Sequence, residues 1–155
     1  MVSPELLRRY PFFSPLNGDH LKAVAMLADE VWYEKDETLF EASQPASALY
    51  LLIEGCVDLH YVVRDEIHPE LWKDFFISEI NPGEPFGISA LIEPYVYTGT
   101  VRTTCASRVL KIDATGLRAL CEVDTKIASL LMRQLAKAAM SRLHDTRVQL
   151  AAARA

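Results

Sequence analysis

Apolar positions along this chain change period twice. From residue 4 to about 32 they recur at helical spacing, with Leu6, Leu7 and Tyr10 on one face. The stretch "SPLNGD", 14–19, interrupts with turn chemistry. Asp19 is placed to cap a second helix, whose apolar stripe is Leu21, Val24, Ala25 and Leu27 or Ala28. From Val31 to Ile112 the pattern shortens into β-type runs: "TLFEA", "ALYLLIEGCVDLHYVV", "FFISEI" and "TVRTTCASRVLKI". They are rich in Val, Ile, Leu, Tyr, Phe and Thr and are separated by Gly, Pro, Ser and Asn turns. In "CVDLHYVV" the alternation sets Val57, Leu59 and Tyr61 against Asp58, His60 and Val62.

After Ile112 the period is helical again. Asp113 suits an N-cap, and from about Asp124 onward there is neither Gly nor Pro. A helix of roughly 26 residues, about 39 Å long, is predicted there. Its stripe of Ile127, Leu130, Leu131, Leu135, Ala138 and Ala139 is wider than a surface helix of a monomer needs. The small side chains of Ala136, Ala138, Ala139 and Ser141 would let another helix approach. A homodimer through this helix is therefore expected, the alternative being a helix folded back on its own barrel; a different protein partner is the other candidate. Many short strands between helical ends predict a mainly β fold, a sandwich or barrel with N-terminal helices and a long C-terminal helix. The expected organisation is one domain over 1–155: helices in 1–30, a β-roll in 31–112, helices in 113–150.

Composition narrows the chemistry. At 155 residues and a formal net charge of -5, with pI about 5.4, the chain lacks the basic surface that a general nucleic-acid binder needs. Arg133, Lys137, Arg142, Arg147 and Arg154 read as a solvated helix face, or else a docking face. Cys56, Cys105 and Cys121, without CxxC spacing, read as reduced buried thiols and point to the cytoplasm. No leader is apparent in "MVSPELLRRYPFF", and no run reaches the ~18 apolar residues of a membrane span. His20, His60, His68 and His144 are dispersed, so no metal site is expected; Cys56 with His60 is a remote pair on a strand. With no GxSxG elbow either, no enzyme is read. Trp32 and Trp72 are assigned to core or rim packing.

Four motifs in order resemble the cyclic-nucleotide-binding domain, closest to the sensory half of bacterial regulators of the catabolite-activator type. They are "YEKDETLFEASQPASALYLLIEGCVDL" (33–59, with Gly55 at the family's glycine turn), "INPGEPFG" (80–87), "FGISAL" (86–91) and "VYTGTV" (96–101). The resemblance implies a double-stranded β-helix, or jelly-roll. It implies a short helix opening at Gly87, whose amides at Gly87, Ile88, Ser89 and Ala90 would face a phosphate, with Thr98 as the retained hydroxyl. It also implies that the family's DNA-reading helices would follow the long helix, where only a few residues remain after Leu150; no direct DNA binding is expected. Ser141, Arg142 and Asp145 are the polar candidates on the long helix, which in the family reaches the ligand.

The departures fall on charged positions. The family's ribose-binding glutamate maps to Ile88, its phosphate-clamping arginine to Tyr97, the proline before it to Val96, and an upstream turn glycine to Ser43. A buried anion without its countercharge costs roughly 2–5 kcal/mol, or about 30- to 4,000-fold in affinity. Losing the ribose acceptor adds ~1–2 kcal/mol. Arg102 lies four residues past Thr98, about 13 Å along a strand, beyond easy rescue. Tyr97 either fills the phosphate's place, or meets a different neutral or apolar ligand, or is an exposed loop aromatic. The ligand-binding set expected is thus Gly87, Ile88, Ser89, Ala90, Tyr97 and Thr98. Its ligand is a cyclic nucleotide held weakly or another small molecule, with no cofactor certain. The competing reading is a degenerate scaffold that binds nothing, for which a cavity below about 100 Å³ would be the mark.

Overall fold

A computed structural model describes all 155 residues. Two four-stranded antiparallel sheets face each other: β1 (Ala28–Tyr33), β8 (Ser107–Asp113), β3 (Ala48–Glu54) and β6 (Pro85–Phe86) in one, and β2 (Thr38–Phe40), β7 (Thr100–Thr103), β4 (Val57–Arg64) and β5 (Trp72–Ile80) in the other. This is the expected jelly-roll. Helices α1 (Pro4–Arg8) and α2 (Gly18–Met26) precede it; α3 (Ala114–Val123) and α4 (Thr125–Ala153) follow. Ala48–Leu52 of β3 are all buried, because the strand is covered on both faces. Single-strand alternation would have left half of them in water.

The N-terminal boundary needs correction. Ala28–Tyr33 is a strand, paired with β8 from Ala28↔Ile112 to Tyr33↔Ser107. Its helical reading continued the α2 stripe, but a free ladder edge on β8 outweighs local propensity. The cap of α2 is Asn17, not Asp19. Asn17 Oδ1 accepts from the His20 amide at 2.9 Å, and the Asn17 amide donates to His20 Nδ1. With Nδ1 accepting, the ring proton sits on Nε2, 3.3 Å from Asp124 Oδ2. Asp124 also caps α4, accepting from the amides of Lys126 and Ile127, and these bonds hold its carboxyl below the usual range. One carboxylate thereby joins α2 to α4.

The turns carry their glycine where it is required. Gly55, between β3 and β4, has φ of 120°, and a Cβ there would lie 2.5 Å from Ser107 Cα. Ser43 stands at the family's other turn glycine and adopts φ of 76° all the same. The cysteines overturn the reduced-thiol expectation. Cys56 and Cys105 form a disulfide between the β3–β4 turn and the β7–β8 turn, with Cα atoms 5.1 Å apart. Neither is buried, and Cys121 alone is free. The inference to a cytoplasmic location loses its basis, since two of the three cysteines that supported it are oxidised. The Cys56–His60 pair is likewise unavailable as ligands. No helix is long and apolar enough to cross a membrane.

Trp32 and Trp72 do not enter the core; they are 64% and 55% exposed. Trp32 faces out from the edge strand β1 with the Arg108 guanidinium 5.5 Å above it, and Trp72 begins the edge strand β5. The alternation read in β4 also breaks, because pairing with β5 shifts between Leu59 and His60, and Tyr61 is 52% exposed.

Helix α4 runs 29 residues. Ile127, Leu131, Leu135 and Ala138 are buried against the chain's own roll. Gln134 donates to the carbonyls of Pro11 and Phe12, clamping the helix to the N-terminal segment. Most of the stripe assigned to a partner therefore folds back. At 100° per residue, Ala136 stands half a turn round from Ile127. From it Met140, Leu143 and Leu150 follow at coiled-coil spacing, 65%, 42% and 55% exposed, with the exposed Arg147 at the position between the last two.

Candidate functional site

The residues "FGISAL" turn sharply out of β6. Gly87 is left-handed, φ 68°, and a Cβ there would press within 3.2 Å of the Ala48 carbonyl, the Tyr50 ring and the Tyr97 ring. It opens a single 3₁₀ turn, Ile88–Leu91. The amides of Ile88 and Ser89 begin that turn and have no carbonyl within it; the amide of Ala90 is taken by Gly87 O. The turn is held from behind by Arg118 of α3. Its Nε donates to Ala90 O and its Nη2 to Ala46 O, both at 2.7 Å, and its guanidinium lies 3.9 Å over the Tyr95 ring. Nothing in the sequence pattern marks Arg118, because an arginine on an amphipathic helix ordinarily faces water.

Tyr97 is 4% exposed, so the loop-aromatic alternative falls. Its hydroxyl donates to Ala48 O at 2.6 Å and accepts from Ala48 N at 3.2 Å. Its ring stacks on Phe40 with centroids 3.7 Å apart and planes 15° apart. Phe40, Tyr50 and Phe86 continue the near-parallel stack. Burial pushes the phenol pKa up, so it stays neutral. With donor and acceptor both used by Ala48, the phenol has no hydrogen left for a ligand.

In front of this stack is a cavity of about 410 Å³. Gly87, Ile88, Ser89, Tyr97 and Thr98 share its wall, Thr98 at the exposed rim. Ala90 does not; it is fully buried behind the turn. On the rest of the roll side Phe40, Leu59, Ile77 and Phe86 are apolar, beside His60 and Tyr61 of β4, and α4 closes the other side with Ala139, Arg142 and Thr146. Arg142 was among the polar candidates on the long helix; Ser141 is exposed and outside the wall. The Arg142 guanidinium is committed elsewhere, to Pro85 O at 2.9 Å and Glu84 Oε2 at 3.3 Å, with Asp145 Oδ2 at 3.8 Å.

Arg102 does not border this cavity. It lines a separate one with Arg64, Ser43 and Thr100 and is bonded to Asp74, which also takes His60 Nδ1 at 2.7 Å. Burial pushes the Asp74 carboxyl up, but the bonds from Arg102 and His60 outweigh it and hold the carboxyl below its usual range.

Residues 30–124 match the cyclic nucleotide-binding domain family. A candidate cyclic nucleotide-binding protein from Geobacter metallireducens is similar over 93% of this chain and 100% of its own, at 34% identity and a TM-score of 0.79. The sensor domain of the transcriptional regulator DNR from Pseudomonas aeruginosa shares the fold, at 21% identity and TM-score 0.67 over 87% of this chain and 91% of its own. So does the catabolite activator protein of Thermus thermophilus, at 19% identity and TM-score 0.66, over 93% of this chain and 63% of its own. A curated relative, a candidate potassium channel protein from Rhodopseudomonas palustris, is 29% identical over 128 residues; the match takes 83% of this chain but only 29% of that protein's length. With a match over 95 of 155 residues (30 through 124) on a jelly-roll, the chain belongs to the cyclic nucleotide-binding domain family.

Proposed function

We propose that this chain is a non-catalytic regulatory module that senses a small molecule, binds cyclic AMP and cyclic GMP weakly, and works as a homodimer through α4. The observation that carries the reading is that α4 takes part in two surfaces at once. Ala139, Arg142 and Thr146 wall the cavity, while Ala136, Met140, Leu143 and Leu150, about a quarter turn round the same helix, present an exposed apolar seam. An occupant that moves Arg142 off Pro85 and Glu84 shifts the same helix that a partner would grip. The scaffold reading fits less well, because Tyr97 fills only the corner where a phosphate would sit. The volume in front of it, about 410 Å³, falls within the ordinary range of small-molecule sites, about 300–1,000 Å³.

Isothermal titration with cyclic AMP and cyclic GMP tests the weak-binding element. Dissociation constants above about 10 µM, extending toward millimolar, are expected from a phosphate buried without a guanidinium; tighter binding contradicts the reading. Sedimentation equilibrium tests the pairing. The wild type should run as a dimer and Leu143→Glu as a monomer, since a buried, unpaired carboxylate would sit in the seam. A monomeric wild type, or a variant of unchanged mass, removes α4 as the interface.

A further inference from the structure

Resting on the reading of this cavity as a sensor site, we infer that the occupant it prefers is an uncharged, predominantly apolar ring compound rather than an anion. Three observations lead there. The first is charge. One guanidinium stands at the wall, Arg142, and two carboxylates, Glu84 and Asp145, stand within 4 Å of it, so the local sum is +1 − 2 = −1. An anion would have to take Arg142 from Glu84 and Pro85 O and then lie beside two like charges. Arg118, the next cation behind the turn, is held by Ala46 O, Ala90 O and the Tyr95 ring and does not line the cavity.

The second is the lining. Ile88 occupies the place where a sugar would need an acceptor. Phe40, Leu59, Ile77 and Phe86 continue the apolar surface, which a ring can cover without leaving a polar atom unpaired. The third is the small number of polar handles. The Tyr97 hydroxyl is closed off by Ala48, and the Thr146 hydroxyl donates to Arg142 O. His60, also at the wall, has its Nδ1 on Asp74, so the hydroxyls of Ser89, Thr98 and Tyr61 remain for a neutral polar group on the ligand.

A matched pair of fluorescent probes separates charge from shape. N-phenyl-1-naphthylamine is neutral; 1-anilinonaphthalene-8-sulfonate is the same skeleton with one sulfonate. Titrated into the intact chain, the neutral probe should bind at least roughly tenfold tighter, equivalent to about 1.4 kcal/mol. Ala139→Trp, which fills the cavity from the α4 side, should abolish that binding while circular dichroism stays native. Ile88→Lys, changed from the opposite wall, should reverse the preference in favour of the sulfonate. Equal or tighter binding of the sulfonate by the wild type overturns the uncharged-ligand inference and leaves the sensor reading standing. Neutral-probe binding that survives both substitutions places the probe on another surface and overturns it too. If neither probe nor either cyclic nucleotide binds, the sensor reading falls along with it.

Discussion

Changing Tyr97 to arginine and Ile88 to glutamate together should raise the affinity for cyclic AMP by about 30- to 4,000-fold over the wild type, as measured by calorimetry. The range is what a buried countercharge is worth, roughly 2–5 kcal/mol. The ribose acceptor is the second group required, because the phosphate and sugar contacts hold one rigid ligand. Tyr97→Arg alone carries a penalty: it removes the stack on Phe40 and leaves the Ala48 amide and carbonyl without their shared partner, a loss of about 1–3 kcal/mol of stability. Tyr97→Phe is the control. It costs the same hydrogen bonds, keeps the ring, and should leave cyclic AMP binding at the wild-type level. A folded double variant that binds no better than wild type would show that the cavity's shape, and not its missing charge, excludes the nucleotide. Arg142 does not already supply the charge, because Glu84 and Asp145 flank it.

The missing charges at positions 88 and 97 are legible in the sequence because both are read against a motif with an assigned place for each charge. What Tyr97 does instead is not legible. Its partners are Ala48 and Phe40, at separations that no local pattern reports. The same limit governs the fold. The strands β3, β4, β7 and β8 announce themselves through β-branched and aromatic runs between turns. By contrast, β1 carries exposed Asp29 and Glu30 on an edge and is a strand only because β8 offers a free ladder. At two residues, β6 is too short to show a period. The stripe on α4 was visible, yet its direction was not. Amphipathicity says that Ile127, Leu131 and Leu135 are covered, without saying whether by the chain's own roll or by another helix. Arg118, which holds the cassette from behind, and Ala139 and Thr146, which close the cavity, became visible only when α3 and α4 were laid against the roll.

The disulfide should carry a large share of the stability without carrying the local geometry. Cys56 and Cys105 are 49 residues apart. In the chain-entropy account, closing a loop of that length destabilises the unfolded state by about 4 kcal/mol, and a domain of this size loses about 2–4 °C in Tm per kcal/mol. The double variant Cys56→Ser/Cys105→Ser should therefore melt about 8–16 °C lower. Its native structure should change little, because other bonds hold the two turns. The Cys56 amide donates to Ser107 Oγ at 3.0 Å, and the Thr104 amide donates to Cys56 O at 2.8 Å. Ser107 Oγ also reaches Cys105 O, at 2.9 Å. Ligand titrations on the double variant should match the wild type as long as it remains folded. Treating the wild type with a dithiol reductant should reproduce the lower midpoint. Cys121 should not interfere by exchange, since burial and then the neighbouring Asp124 push its thiol pKa up and keep the thiolate scarce. Equal midpoints for the oxidised wild type, the reduced wild type and the double variant would mean that the crosslink does not constrain the unfolded chain; the hydrogen bonds through Ser107 and Thr104 would then be what holds the two turns together.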